Sequence, residues 1–485
     1  MDKREFRQVA GAFRVFHKRF APLFGRKEAR RHGEHYVRGL LVQQAERRNA
    51  ENLAEAVVGS ELRDARALQQ FLTDSPWTHE AVGAELQRYL AQWLLPHEVA
   101  DGVAADGVWT LDSTGFAKRG TQSVGVARQY SGTLGKVDNC QIGVFLGYAT
   151  TRGHALVDGQ LSLPREWVED PARCARAGVP ETILAQGYQS QAELGLALLR
   201  RARAIGALVG RWVTADEAFG QVPTWRDALD AEGWWYLAEV PCTTPVFTAP
   251  PRTRRVRLGP DAATRAVAIQ PASQTVQAVA TALPGGGAGG WTTLTVANGA
   301  QGPRVHQFAA LRVWESRAGV PGRDCWLVLR RNHDGTELKY SLSNAPADTP
   351  LATLARVGAT RWTIETEFQT TKGLVGLDEY EVRSWPGWHH HITLCLLANA
   401  FLLSLQQEWG GKDDGGRTPS APRSGFHPRA RTHATDTSPG GPGPARGVAP
   451  PSLDARRPPP LADRHPTPQR PRDRFTRQTS AHHGA

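Results

Sequence analysis

Apolar residues recur every three and four positions over residues 6–20, 35–57, 61–72 and 79–95, which predicts helices through most of residues 1–98. Ser75-Pro76 marks a break between the last two, and Pro96 closes the series. The pattern then changes. VWTL (108–111), HALVDGQLSL (154–163), RWVTADEAFG (211–220) and WWYLAEVP (234–241) read as strands, with helical periods in QAELGLALLRRARAIG (191–206) and TWRDALDAEG (224–233). A strand, a crossover helix and another strand predict an α/β sheet, with the crossover running from the 154–163 strand to the 211–216 strand. From about Pro245 to Arg331 come short β-rich pieces broken by LPGGGAGG (283–290), with hardly a helical period. ITLCLLANAFLLSL (392–405) is apolar on all sides and predicts a buried helix.

On this pattern sit three carboxylates. Asp112 follows the apolar run 108–111 and precedes Ser-Thr-Gly, at the expected end of a central strand, where open α/β folds place their chemistry; an Asp there is also an ordinary turn residue. Asp216 closes the next strand. Its neighbour Glu217 must face the other way, so at most one of them can join Asp112. Asp158 and Asp170 read as structural or surface residues. In ATRWTIETEFQTTKGL (359–374), Arg361, Glu365, Phe368 and Lys372 fall within about 60° of arc at about 100° per residue, one stripe of a helix. Glu367 falls on another face, so Glu367 and Glu217 should be replaceable without loss. Cations flanking Glu365 would keep it ionised and could meet phosphate oxygens; an exposed helix with i,i+4 pairing would show the same pattern. His389, His390 and His391 cannot chelate one ion from adjacent helical positions, and read as a capping or DNA-adjacent cluster.

Charge sharpens the picture. The net charge of +11 is concentrated at the ends: residues 1–48 hold 13 Lys/Arg against 5 Asp/Glu, and residues 411–485 hold 13 against 6. Basic ends around a mildly acidic centre suit a polyanionic partner and a carboxylate-bound metal. Arg26, Lys27, Arg30 and Arg31 form the densest basic cluster, either a phosphate-contacting turn or a solvated helix face. Lys118, Arg119 and Arg128 are further candidates for DNA backbone contact. Five scattered cysteines, none in a C-x-x-C pair, argue against a zinc ribbon and a disulfide scaffold. With no signal-like h-region and no long apolar run, the expectation is a cytoplasmic, nucleoid-associated protein without a membrane partner. Residues 411–485 carry 14 of the 33 prolines and almost no large apolar side chain, which predicts disorder.

Two segments carry a resemblance. The stripe Arg361, Glu365, Lys372 is similar to the R-x3-E-x6-K signature of bacterial insertion-sequence transposases with an RNase H-like DDE core, and GLDEYEVRSWPGWHHHITL resembles its continuation. LDSTGFAKRGTQSVGVARQYSGTLGK resembles the family's first-Asp block, with Ser113 where a second acidic residue often stands. Gly358 stands where related families have a Tyr. The resemblance implies an RNase H-like mixed-sheet core with a β-rich insertion, an N-terminal helical domain and a disordered C-terminal tail. The divisions are 1–98 (helical, DNA-binding), 99–244 (first part of the core), 245–345 (β-rich insertion), 346–410 (helices carrying the catalytic Glu) and 411–485 (basic tail).

It further implies Asp112, Asp216 and Glu365 as catalytic and metal ligands for Mg²⁺ or Mn²⁺, two ions about 4 Å apart activating a nucleophile and stabilising the leaving oxygen. Arg361, Lys372, Lys118, Arg119, Arg26, Lys27, Arg30 and Arg31 are the DNA-binding set. The implied substrate is double-stranded DNA, element terminal repeats and target, bound by a homodimer or higher oligomer that cleaves and transfers strands. A nuclease that cuts without joining and a derivative that only binds DNA are the alternatives. An insertion aromatic such as Trp291 or Trp314 could stack on an unpaired base, although core packing accounts for either.

Overall fold

The computed structural model describes residues 3–42, 47–57, 65–95, 107–133, 135–257, 264–284, 290–299, 302–332 and 335–409, so Pro96 and the expected disorder of 411–485 lie outside the described residues. The N-terminal period resolves into α1 (Lys3–Phe20), α2 (Lys27–Val42), α3 (Ala50–Ala56), α4 (Ala65–Thr73) and α5 (His79–Leu94). The single helix expected over 35–57 is two, because Asn49 takes an extended conformation and its side chain accepts from the Asn52 N–H at 3.0 Å, capping α3.

Downstream the helices are the short α6 (Arg165–Val168), α7 (Pro171–Arg176) and α8 (Glu181–Leu184), then α9 (Gln191–Ile205), α10 (Glu217–Gly220), α11 (Pro223–Ala231), α12 (Val276–Thr281), α13 (Leu351–Thr360), α14 (Trp362–Val375) and α15 (Trp385–Trp409). Helix α15 is apolar all round and is accordingly buried at Trp385 and from Gly387 through Phe401. Against it pack Phe13 and Phe16 of α1, with ring centroids 5.3 and 5.2 Å from Phe401. The histidine triplet is interior, and of the expected roles only a capping one is seen, where His390 meets a carbonyl in the last turn of α4. Turning 100° per residue, its members staple three different partners. His389 Nδ1 meets the Trp385 carbonyl at 3.0 Å and its Nε2 meets Gln160 at 3.2 Å. His390 stacks on Trp77 at 3.7 Å, with ring nitrogens 2.7 and 2.9 Å from the carbonyls of Leu72 and Trp77. His391 Nδ1 lies 2.9 Å from the Tyr36 hydroxyl. Burial drives His390 down to about 4 and His391 to about 3.

The strands are β1 (Val108–Ala117), β2 (Ala127–Ser131), β3 (Lys136–Thr150), β4 (Gly153–Ser162), β5 (Trp212–Ala215) and β6 (Trp235–Glu239), followed by β7 (Pro245–Phe247), β8 (Arg252–Arg257), β9 (Thr264–Gln270), β10 (Gln274–Thr275), β11 (Thr292–Gly299), β12 (Gly302–Arg317), β13 (Val320–Arg331) and β14 (Leu338–Ser343). At the centre lie β4-β3-β1-β5-β6, the first three antiparallel and β5 and β6 parallel to β1. This is the mixed sheet of an RNase H-like core. The crossover runs from β4 through α9 to β5, as expected, and sets β5 down not beside β4 but on the far side of β1, parallel to both. However, β1 does not end at Asp112: its antiparallel pairing with β3 continues to Ala117↔Cys140, while the parallel ladder to β5 stops at Leu111↔Ala215. Asp112 is the first residue whose β5 side is unpaired.

The β-rich segment extends the same sheet through β14, β13, β12, β7 and β10, with β11 on β12 and β8–β9 a separate ribbon. It is fastened to α11 by ions. Arg226 (4% exposed) donates to Glu315 (2% exposed) at 3.2 Å, and Arg317 bridges Glu315 and Asp227 at 2.6 and 2.7 Å. Glu315→Ala strands a buried guanidinium and should cost about 3–5 kcal/mol, whereas joint Arg226→Met/Glu315→Leu should cost far less. Urea unfolding midpoints measure both. Trp291 and Trp314 are each partly buried, Trp291 against the main core with Arg331 4.1 Å from its ring.

Candidate active site

Registers decide which side chains meet. Leu111, Ala215 and Ala238 are aligned across β1, β5 and β6, so Asp112, Asp216 and Glu239 follow as one row where the parallel ladder of the three strands stops. Asp216 also caps α10, accepting from the Ala218 N–H at 3.0 Å. Glu217, in the first turn of α10, is exposed. Gly220 packs so closely on the Glu239 carbonyl that no Cβ would fit between them.

Helix α14 lies across this row. Arg361 joins α13 to α14 in helical conformation (φ −52°, ψ −36°), so the expected stripe is continuous. Its side chain is surrounded by carboxylates: Nε donates to Glu239 Oε1 at 3.1 Å, one terminal nitrogen donates to Glu365, and the other is 3.7 Å from Asp112. One turn on, Phe368 meets Phe145 edge to face at 5.4 Å. Lys372 then donates to Thr114 Oγ1 at 2.8 Å, two residues beyond Asp112 on the same face of β1.

Too many negative charges share one guanidinium. Burial, then the Asp216 carboxylate, push Asp112 up to about 7, against the opposing pull of Arg361 and the Ser113 N–H, with Glu365 adding to the rise. Burial also raises Asp216, against Arg361 and the N–H groups of α10. Burial disfavours the charge on Arg361, but Glu239, Glu365 and Asp112 outweigh it and hold the group above its usual range. Hard oxygen donors carrying excess negative charge suit a divalent cation such as Mg²⁺ or Mn²⁺. Asp112, Asp216 and Glu365 are candidates to hold it. As placed, with Arg361 among them, no three His, Cys, Asp or Glu groups among the described residues converge on a single ion position.

Other expected residues fall elsewhere. Lys118 is turned inward, donating to the Tyr380 carbonyl at 3.1 Å with its ammonium 3.4 Å from that ring, and burial lowers it to about 8. Arg119 and Arg128 are exposed, as are Arg26, Lys27, Arg30 and Arg31 at the start of α2. Glu367 is not a neutral position. It is 6% exposed, 2.7 Å from His154 Nδ1 and 2.7 Å from its donor Asn399 Nδ2, so Glu367→Ala would orphan two polar groups. Sequence reasoning missed Glu239, hidden in an apolar run that signals only a core strand. It also missed Trp362, 44% exposed beside Arg361 with the Arg304 guanidinium 5.3 Å from its ring.

A family model described as "DDE superfamily endonuclease" matches residues 19–303, more than half of the chain. The match includes Asp112, Asp216 and Glu239, while Arg361, Glu365 and Lys372 lie beyond it and rest on the geometry above. A search of curated proteins finds no match. Members of this superfamily depend on divalent metal and act on DNA, and among the described residues no helix is long and apolar enough to cross a membrane. With an RNase H-like sheet, a row of carboxylates where its parallel ladder stops and a family match across most of its core, the chain belongs to the DDE superfamily of endonucleases.

Proposed function

We propose that the protein is a bacterial insertion-sequence transposase that binds the element's ends, cleaves DNA strands there and transfers them to a target. The observation that carries this reading is Arg361, held among carboxylates from β1, β6 and α14 at one end of the sheet. A guanidinium with its terminal nitrogens on acids it can exchange for phosphate oxygens is suited to clamp a scissile phosphate. Divalent cations bound by Asp112, Asp216 and Glu365 would supply charge neutralisation and an activated nucleophile. Water serves as nucleophile for cleavage, and a DNA 3′-hydroxyl for joining. Lys372, anchored over Thr114, adds a second positive charge along the same track. Residues 1–98 supply end recognition, and the protein acts as a homodimer or higher oligomer on DNA.

The test is incubation with labelled element ends, a target plasmid and Mg²⁺, scoring bound, nicked and joined DNA separately. Nicks without joined product would reduce the protein to a nuclease, and binding alone to a DNA-binding derivative.

Deleting residues 1–98 is a poor probe of binding, since it uncovers α15 and removes buried Phe13, Phe16, Phe20 and Tyr36, each a loss of roughly 1.5–3 kcal/mol. Charge reversal of Arg26, Lys27, Arg30 and Arg31 avoids this because all are exposed. If they contact phosphates, the slope of log affinity against log salt should fall by about 3–4 while the melting temperature stays constant. Unchanged affinity at low salt would leave the cluster a solvated helix face.

A further inference from the structure

The row where the parallel ladder stops has three carboxylates, and the proposed chemistry uses two. Glu239 is the third, and its placement is more constrained than that of a surface acid. It closes β6 between parallel β5 and antiparallel β14, with Ser341 opposite, and Gly220 is pressed against its carbonyl. Its side chain is 11% exposed. Both carboxylate oxygens face cations: Oε1 accepts from Arg361 Nε at 3.1 Å, and Oε2 lies 3.7 Å from Lys339 Nζ.

We propose that Glu239 is a positioning residue, which tethers Arg361 by its Nε edge so that the two terminal nitrogens stay aimed at the reacting phosphate. The division of the guanidinium supports this. Its inner edge is bound to an acid on a rigid strand, and its outer fork is bound to Asp112 and Glu365, the acids that cations would claim. When those acids are engaged elsewhere, Glu239 alone retains Arg361 in place. Without the tether a long side chain regains its rotamers, and the fork loses its aim. Glu239 is not assigned as a metal ligand, because both its oxygens already have positive partners. The proposal rests on the reading of Arg361 as the phosphate-contacting residue.

The experiment uses the full-length protein as Glu239→Ala, Glu239→Gln, Arg361→Ala and the double variant Glu239→Ala/Arg361→Ala. Single-turnover cleavage of labelled element ends should fall about 10- to 100-fold in Glu239→Ala, with DNA affinity within about threefold of wild type. Glu239→Gln keeps an oxygen that can accept the Nε–H, and should recover to within about fivefold. In the Arg361→Ala background, Glu239→Ala should change the rate by less than about twofold. Two readouts do not need turnover. In metal-free protein the melting loss from Glu239→Ala should largely vanish once Arg361 is Ala, and Mn²⁺ affinity by electron paramagnetic resonance should stay within about threefold.

Cleavage by Glu239→Ala at the wild-type rate, or losses that multiply independently in the double variant, would overturn the proposal. A tenfold loss of Mn²⁺ affinity would overturn it in favour of a fourth metal ligand. Should Glu239→Ala fail to fold, Glu239→Gln carries the test: a 100-fold loss with it means that charge, not tethering, matters. If wild type cuts no DNA, the transposase reading fails separately, and additive melting losses would then reject the Glu239–Arg361 tether.

Discussion

Asp112→Asn, Asp216→Asn and Glu365→Gln should each lower strand cleavage by at least about 10³-fold, while the first should make the metal-free protein more stable, not less. The sign follows from linkage. Asp112 ionises near 3.8 when unfolded and near 7 in the folded chain, held up by burial and the Asp216 carboxylate. Between those values the unfolded chain has released the proton that the folded chain still holds, so rising pH favours unfolding. The contribution is fully present below about pH 4 and lost as pH passes about 7. With about 1.4 kcal/mol per pKa unit, ionised Asp112 costs up to about 4 kcal/mol above pH 7, less where Arg361 and water adjust. Asparagine removes the titration. The stability difference between Asp112→Asn and wild type should therefore grow from pH 4 to pH 7 and level off, as urea midpoints across pH would record. Added Mg²⁺ should raise the melting temperature of wild type but not of Asp112→Asn. A variant less stable than wild type at pH 8 would mean that Asp112 is not under electrostatic strain.

Arg361→Ala should have the next largest effect, on both chemistry and stability. Were the stripe an exposed charge pair, its loss would cost only about 0.3–0.5 kcal/mol. Arg361 is instead 15% exposed and shared by Glu239, Glu365 and Asp112. Removing it leaves those acids mutually repelling, and Asp112 should rise further. Depriving the reacting phosphate of a charged donor costs about 2–4 kcal/mol in the chemical step, roughly 30- to 1,000-fold in rate. Arg361→Lys should recover little, since one ammonium cannot span an inner edge on Glu239 and an outer fork on Glu365 and Asp112. Single-turnover cleavage and thermal melts measure both. Wild-type cutting and joining by Arg361→Ala would leave the stripe a structural feature.

Local pattern was enough for much of the fold. Three- and four-residue periods marked α1, α4, α5, α9 and α11, and the all-apolar run marked α15, because a helix shows its buried face at 100° per residue. The wheel placed Arg361, Glu365, Phe368 and Lys372 on one face, and the structure keeps them there, since Arg361 continues the helix into α14. Asp112 and Asp216 were legible as acids that follow short apolar runs.

Whatever depends on partners distant in the chain emerged only in three dimensions. The register Leu111↔Ala215↔Ala238 adds Glu239 to the row, and no local pattern encodes a register between strands so far apart in sequence. The extension of β1 past Asp112 depends on β3, and the placing of β5 beside β1 on which strand stands at the centre of the sheet. His389 to His391, expected to form a capping or DNA-adjacent cluster, and Glu367, expected to be replaceable, proved interior, because Leu72, Trp77, Tyr36, His154 and Asn399 come from other elements to satisfy them. A side chain's period gives its direction on its own helix; what waits there is set by the rest of the fold.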